Sequence, residues 1–337
     1  SWGKGKVTGN TSLALLFFLA HGETPSSKVF GSTVEKGLKW LIKYANIPAN
    51  LRNDPGHGYD KAMVTYALAE ASSLIQIPAL KEAMEKCVAS CISIQTARGG
   101  YKAKSYHEDT SIQGWYMQAL KASYMAGSKH PKLKESLKKS LKYMKGQAFS
   151  LNKGKNSAPN SFFYNIPGRN GFSGVKDPSL ALRAVGSLAL TLLGEGKSKE
   201  ARGSSDYIVN KDVKRVKWGE KDINAPLYTW YYQTQVAFFK KGAAWNRWNR
   251  VFKKELTKNQ FKDGHWESFG PMEKAGSHGM QLIDSQVYST ALCGLMLTVY
   301  YRYLPNVHVD LSKDTHHKKA SKEEEAADDE DAGFVIE

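Results

Sequence analysis

Asp284-SQVYSTALCGLMLTVYYRYLP, residues 284–305, carries no charge between its leading Asp and Arg302 and mixes small with large apolar residues on all sides. Five other stretches have the same build: Asn10-TSLALLFFLAHG, Asp60-KAMVTYALAEA, Asp109-TSIQGWYMQALKASYMAG, Asp177-PSLALRAVGSLALTLLG and Asn224-APLYTWYYQTQVAFF. Their leading residues are 50, 49, 68, 47 and 60 positions apart. Recurrence at that length indicates a repeated two-helix unit. Helices apolar all round must be covered all round.

Between these runs lie segments of a different kind. Val34–Asn46, Ala79–Gln95, Pro131–Lys145, Glu200–Asn210 and Trp245–Gln260 place apolar residues three or four apart with charge between. That is the pattern of a helix covered on one face. Alternation of the two kinds predicts an all-α fold, an (α/α)6 toroid with an inner ring of helices wrapped by an outer one. Gly and Pro clusters such as HGETP, DPGHG, ARGG and KDGHW mark the joints. An Asp or Asn at each inner start is expected to accept an unpaired N–H of the first turn. The interval 146–176 is Gly-, Asn- and Ser-rich with Phe162, Phe163, Tyr164 and Phe172, and is expected to form a flap across one mouth.

The domain is expected to span 1–305. Residues 306–337 hold 4 Lys against 10 Asp and Glu, and Ser321–Gly333 should be a disordered acidic tail. Of the +16 total charge, the tail accounts for −6, so the body is basic at +22. Its lysines are spread along predicted outer helices, so specific nucleic-acid binding is not expected. No uncharged apolar run is long enough for a membrane span. Cys87, Cys91 and Cys293 read as buried free thiols. Nothing in the residues fixes a compartment.

Gln260-FKD-Gly264-His-Trp266 and Gln95-TAR-Gly99-Gly-Tyr101 share the pattern Q-x-x-x-G-x-aromatic, and Ser1-Trp2-Gly3 fits the tail of another copy. The start of that copy, with a first outer helix, is expected upstream. This motif resembles the QW repeat of the squalene-hopene cyclase and prenyltransferase superfamily, in particular short bacterial squalene-cyclase-like proteins with one toroid. The resemblance implies a terpenoid-cyclase-like toroid. The cyclase acid motif D-x-D-D-T is matched by Tyr106-His107-Glu108-Asp109-Thr110, in which Tyr replaces the first Asp and Glu the acid. The zinc ligands of the prenyltransferases are replaced by Leu227-Tyr228 and Tyr288-Ser289-Thr290, so neither metal nor cofactor is expected. The thioester motif Gly-Cys-Gly-Glu-Gln is absent.

The function expected on this resemblance is a binding or scaffold toroid of undetermined activity with an aromatic central cavity. The alternative is an isoprenoid cyclase or lyase using Glu108 and Asp109 as acid. His57, His107, Trp115, Tyr116, Trp230, Tyr231, His278 and Tyr288 are the candidate cavity residues. The partner would be an isoprenoid or other apolar ligand, or a protein at the mouth. A polysaccharide lyase would need an Arg or Lys base beside calcium-binding carboxylates, and no such cluster is visible.

Overall fold

The computed structural model describes residues 1–52, 58–102, 107–151, 154, 157–164 and 179–301. Six helices form the inner ring: α1 (Val7–Ala20), α4 (Gly58–Leu74), α6 (Thr110–Met125), α8 (Ser179–Leu192), α10 (Pro226–Lys240) and α12 (Leu282–Leu297). Each packs on the next, and α12 packs on α1, so the ring closes. Outside it lie α2 (Gly31–Ala45), α5 (Pro78–Ser93), α7 (Leu133–Gln147), α9 (Lys199–Asn210) and α11 (Gly242–Lys258). A single turn, α3 (Pro48–Leu51), sits against α2 and α5. This is the expected (α/α)6 toroid, and all six apolar runs are its inner helices.

Burial separates the two rings as the patterning requires. Every residue of α6 from Thr110 to Ser123 is buried, whereas α11 buries only Trp245, Trp248, Phe252 and Leu256, one stripe at helical spacing. Close approach inside the ring depends on small residues. A Cβ on Gly114 would lie 2.6 Å from Val185, so α6 and α8 meet there backbone to side chain. The three cysteines are buried free thiols.

The Q-x-x-x-G-x-aromatic segments close outer helices. Gln260 donates to the Gly264 carbonyl (2.8 Å) and Gln95 to that of Gly99 (3.1 Å). Both glycines have φ near +90°, where an L side chain is strained. The Trp266 indole N–H donates to the Leu256 carbonyl at the end of α11. These are helix-stopping mechanics that serve a two-layer ring whatever its chemistry.

The interval after α7 begins as a hairpin. β1 (Ala148–Phe149) pairs antiparallel with β2 (Ser161–Phe162), and Phe149 stacks on Phe163 at 4.3 Å. Residues 165–178, including Phe172 and Asp177, and the acidic segment 306–337 lie outside the described residues. No helix among the described residues is long and apolar enough to cross a membrane.

The capping expectation needs correction. Asp109 is the N-cap of α6, but Asn10 is the fourth residue of α1 and Asp60 the third of α4. Asp284 is the third residue of α12, in a capping box with Gln281. Ala225, not Asn224, precedes α10, and Glu273 takes the open N–H groups of that helix. Inner helices begin at a shared mouth, so a carboxylate from a neighbouring segment can do what a local cap would do.

Candidate functional site

Asp109 is held in extended backbone at the head of α6, which aims its carboxylate back over the first turn. It accepts N–H bonds from Ser111 (2.7 Å) and Ile112 (3.4 Å) and the Ser111 hydroxyl (2.6 Å). The Ser111 hydroxyl lies 2.6 Å from the Tyr59 hydroxyl at the head of α4. A hydroxyl has one proton, so if Ser111 donates to Asp109 it accepts from Tyr59. The resulting relay runs Tyr59 to Ser111 to Asp109. Tyr228, on α10, donates to the Ser111 carbonyl at 2.9 Å. Burial raises the Asp109 carboxyl above its usual range against the opposing bonds from Ser111 and Tyr164.

A second carboxylate faces the same group of tyrosines. Glu273 accepts from the Leu227 and Tyr228 N–H groups (3.0 and 2.7 Å), from Ser268 (2.9 Å) and from Tyr288 (3.2 Å). Desolvation outweighs these bonds and pushes its carboxyl up to about 7. Tyr288 and Tyr228 lie within electrostatic reach of Tyr59, and Tyr59 within reach of Asp109. Asp109 and Glu273 thus flank one cluster of phenols. Tyr59 and Tyr164 keep 37% and 40% of their surface accessible, yet burial raises both phenols. We infer a recess at these phenols from accessible surface with that much protein around it.

The Glu273 shift has a measurable consequence. Its folded pKa is above the unfolded value, so between about pH 4.5 and 7 the folded state binds more protons. Stability is expected to fall as pH rises through that window. Chemical denaturation at a series of pH values should show this slope, and Glu273→Gln should flatten it; an unchanged slope in the variant would place its origin elsewhere.

Glu108, although adjacent to Asp109, turns away from the recess. It accepts from the Thr96 hydroxyl, lies 3.9 Å from Arg98 Nε, and packs against Gly100 and Tyr143. Trp115, Tyr116, Trp230 and Tyr231 do not line an open cavity. All are fully buried. Trp115 stacks on Tyr231 at 5.4 Å, and Tyr231 and Tyr232 both bond to Gln118 across from α10 to α6. Tyr116 stacks on Tyr101 at 3.7 Å, and Trp230 packs with Trp218 and Phe269. Side chains fill the ring at this level, as they must when wide aromatic residues project from several inner helices at once. His107 and His278 are exposed in separate connections, and His57 lies outside the described residues. Of the expected residues, Asp109 and Tyr288 belong to the recess.

Tyr59, Ser111, Tyr164, Tyr228 and Glu273 were not read as site residues from sequence, where Tyr164 stood only as a flap aromatic and Tyr228 only at a replaced zinc-ligand position. The first, second and fourth lie within four positions of an inner run's leading residue, a signal that was readable once the repeat was recognised. Glu273 sits in a connection with no periodic signal.

No protein-family model matches the chain, and no curated protein does. Solved structures do. The GH76A α-1,6-mannanase from a Salegentibacter species matches with a TM-score of 0.61 at 14% identity, over 89% of this chain and 90% of that one. An inactive variant of that mannanase with two consecutive aspartates replaced by alanine, in complex with α-1,6-mannotetrose, matches at 0.58 and 13%, over 86% and 88%. A D-mannose isomerase matches at 0.55 and 11%, over 87% of each chain. These likenesses correct the resemblance to squalene-hopene cyclases and prenyltransferases, and with it both the scaffold with an aromatic cavity and the isoprenoid cyclase. The shared motif misled because its Gln, Gly and aromatic residues close outer helices here, a mechanical role that carries no chemistry. What the chain shares with the mannanase and the isomerase is the (α/α)6 toroid.

Proposed function

We propose that this protein acts on a glycan held at the mouth formed by the inner-helix starts, with hydrolysis of a glycosidic bond as the reaction. The observation that carries this reading is the pair Asp109 and Glu273, two carboxylates raised by burial on either side of one tyrosine-lined recess. Glycoside hydrolysis needs one carboxyl that is protonated and one that is ionised. Glu273, pushed up to about 7, suits the acid that protonates the leaving oxygen. Asp109, fed by two backbone N–H groups and the Ser111 hydroxyl, suits the ionised partner. The phenol faces of Tyr59, Tyr164, Tyr228 and Tyr288 suit stacking on sugar rings while their hydroxyls bond.

The matched toroids support the same direction, since they include a mannanase and a mannose isomerase. The inactive mannanase variant lacks two adjacent acidic residues, and this chain has Glu108 and Asp109 side by side at an inner-helix start. Only Asp109 meets the recess here. Glu108 is a positioning residue for the 96–101 turn.

The test is release of reducing ends from α-1,6-mannan and a panel of other polysaccharides. Asp109→Asn keeps an N-cap, because Asn caps as well as Asp, while removing the charge. Turnover should fall at least about a hundredfold in Asp109→Asn and in Glu273→Gln with unfolding still cooperative. Glu108→Gln should alter stability more than turnover. Full activity in Asp109→Asn, or neither binding nor cleavage of any glycan in the panel, would rule the reading out.

A further inference from the structure

Asp109 and Glu273 serve helix heads that are not neighbours in the ring. Asp109 caps α6, Glu273 takes the open N–H groups of α10, and α8 lies between these helices, packed on both. Deeper in the ring, Tyr231 and Tyr232 of α10 bond to Gln118 of α6, about 10 Å from Ser111 along the helix axis. Those bonds tie the two helices at depth. At the mouth the tie is Tyr228. Its N–H donates to Glu273 Oε1 at 2.7 Å, and its hydroxyl donates to the Ser111 carbonyl at 2.9 Å. Ser111 in turn donates its N–H to Asp109 at 2.7 Å, and its hydroxyl to the same carboxylate oxygen at 2.6 Å. Two residues thus carry a path of hydrogen bonds from one carboxylate to the other.

The Glu273 end of this path is seated firmly. Its segment lies against the first turn of α10: a Cβ on Gly270 would stand 2.2 Å from Pro226 Cδ, and the Met272 N–H donates to the Asn224 carbonyl at 3.0 Å. The Ser285 hydroxyl donates to the Glu273 carbonyl at 2.7 Å. Tyr228 itself is half-buried, and its ring packs on Tyr232 with centroids 4.9 Å apart. A pair of carboxyls that divides the work of acid and ionised partner must keep a set separation, because the two arrangements known for glycoside hydrolysis differ by as little as about 1 Å. A misplacement of about 1 Å can cost about a hundredfold in rate.

We infer that Tyr228 is a positioning residue of this site: the bond from its hydroxyl to the Ser111 carbonyl, with its N–H on Glu273, sets the separation of the two carboxyls. This rests on the hydrolytic reading above and adds to it a role distinct from sugar stacking. The ring face of Tyr228 is available to a sugar, whereas its hydroxyl is engaged by the protein and acts through Ser111 on Asp109. Tyr288 differs, because its hydroxyl bonds to Glu273 directly and makes no link to α6.

The experiment is steady-state kinetics of the full chain and its Tyr228→Phe variant, on α-1,6-mannan or whichever polysaccharide of the panel the wild type cleaves. Phe keeps the ring and its stacking face and removes only the hydroxyl. The value of kcat should fall about tenfold or more, with KM within about twofold of wild type. The same change made in Asp109→Asn should cost little further turnover, because the charge being positioned is already gone; independent effects would multiply. Unfolding of Tyr228→Phe in urea should stay cooperative. A raised KM with kcat kept would mean that the hydroxyl binds the sugar, and would overturn the inference. So would full activity in Tyr228→Phe, a multiplicative loss in the double variant, or a variant that no longer folds, which would make the hydroxyl a support of the ring at large. Each of these leaves the hydrolytic reading standing. Cleavage of no polysaccharide by the wild type overturns both.

Discussion

Asp284→Ala is expected to remove about 3–5 kcal/mol from the unfolding free energy, because it strips several backbone donors of one charged acceptor. The carboxylate has no exposed surface. It accepts from the N–H groups of Lys4 (2.8 Å), Gly5 (3.0 Å), Lys6 (3.2 Å) and Gln281 (3.1 Å), and from the Asn10 side-chain amide (3.3 Å). These contacts fasten the beginning of the chain and α1 to α12, so Asp284 is the clasp that closes the ring. Asp284→Asn should cost nearly as much, since its amide would direct N–H groups at donors. Burial by itself would raise the Asp284 carboxyl, but the backbone N–H groups of Lys4, Lys6, Gly5 and Gln281 outweigh it, and the net shift is downward. A carboxyl depressed in the folded state stabilises above its unfolded value and loses that stabilisation as pH falls. The clasp should therefore weaken below about pH 4. Urea denaturation of wild type and both variants checks this. A loss under about 1 kcal/mol would mean that α12 and α1 are held by packing alone.

The second large effect is at the opposite side of the ring. Arg183 of α8 donates to Asp212, and its Nε donates to the Asn160 carbonyl at 2.9 Å. The guanidinium lies 4.0 Å from the Tyr207 ring centroid, and Gln233 of α10 donates to the same Asp212 oxygen at 3.3 Å. Both charged residues are almost wholly excluded from solvent. Removing one partner leaves the other charge buried without its counter-ion, at a cost of about 3–5 kcal/mol. Arg183→Met should show that loss. Replacing both, as Arg183→Met with Asp212→Leu, should recover most of it, because the desolvation cost of the pair also disappears. Denaturant midpoints of the two single variants and the double variant give the coupling directly. A double variant as unstable as the sum of the singles would contradict the account.

The ring itself was legible. Runs that are apolar on every side, as at Asn10–Gly22, can only be inner helices, and one-faced segments such as Trp245–Gln260 only outer ones. The heads of the inner runs were legible as positions and not as contacts. Asp109 does cap its own helix, whereas Asp284 reaches over the closing seam to residues 4–6 ahead of the neighbouring α1, and Glu273 takes the place expected of Asn224. Spacing along a chain fixes which residues start a helix; it says nothing about which neighbouring segment arrives at the same mouth.

The aromatic residues show the same division. Trp115, Tyr116, Trp230 and Tyr231 were readable as inner-helix residues, but whether they leave a channel or fill it depends on how far the helices approach, and that is settled by contacts such as Gly114 on Val185. Helix identity and alternation follow from periodicity, a property of local sequence. The recess follows from long-range proximity: Tyr59, Asp109, Tyr228 and Glu273 come from four separate segments, and only closure of the ring makes them neighbours. The raised carboxyls of Asp109 and Glu273 exist for the same reason, since desolvation is a property of everything that surrounds a group and not of the residues beside it in the chain.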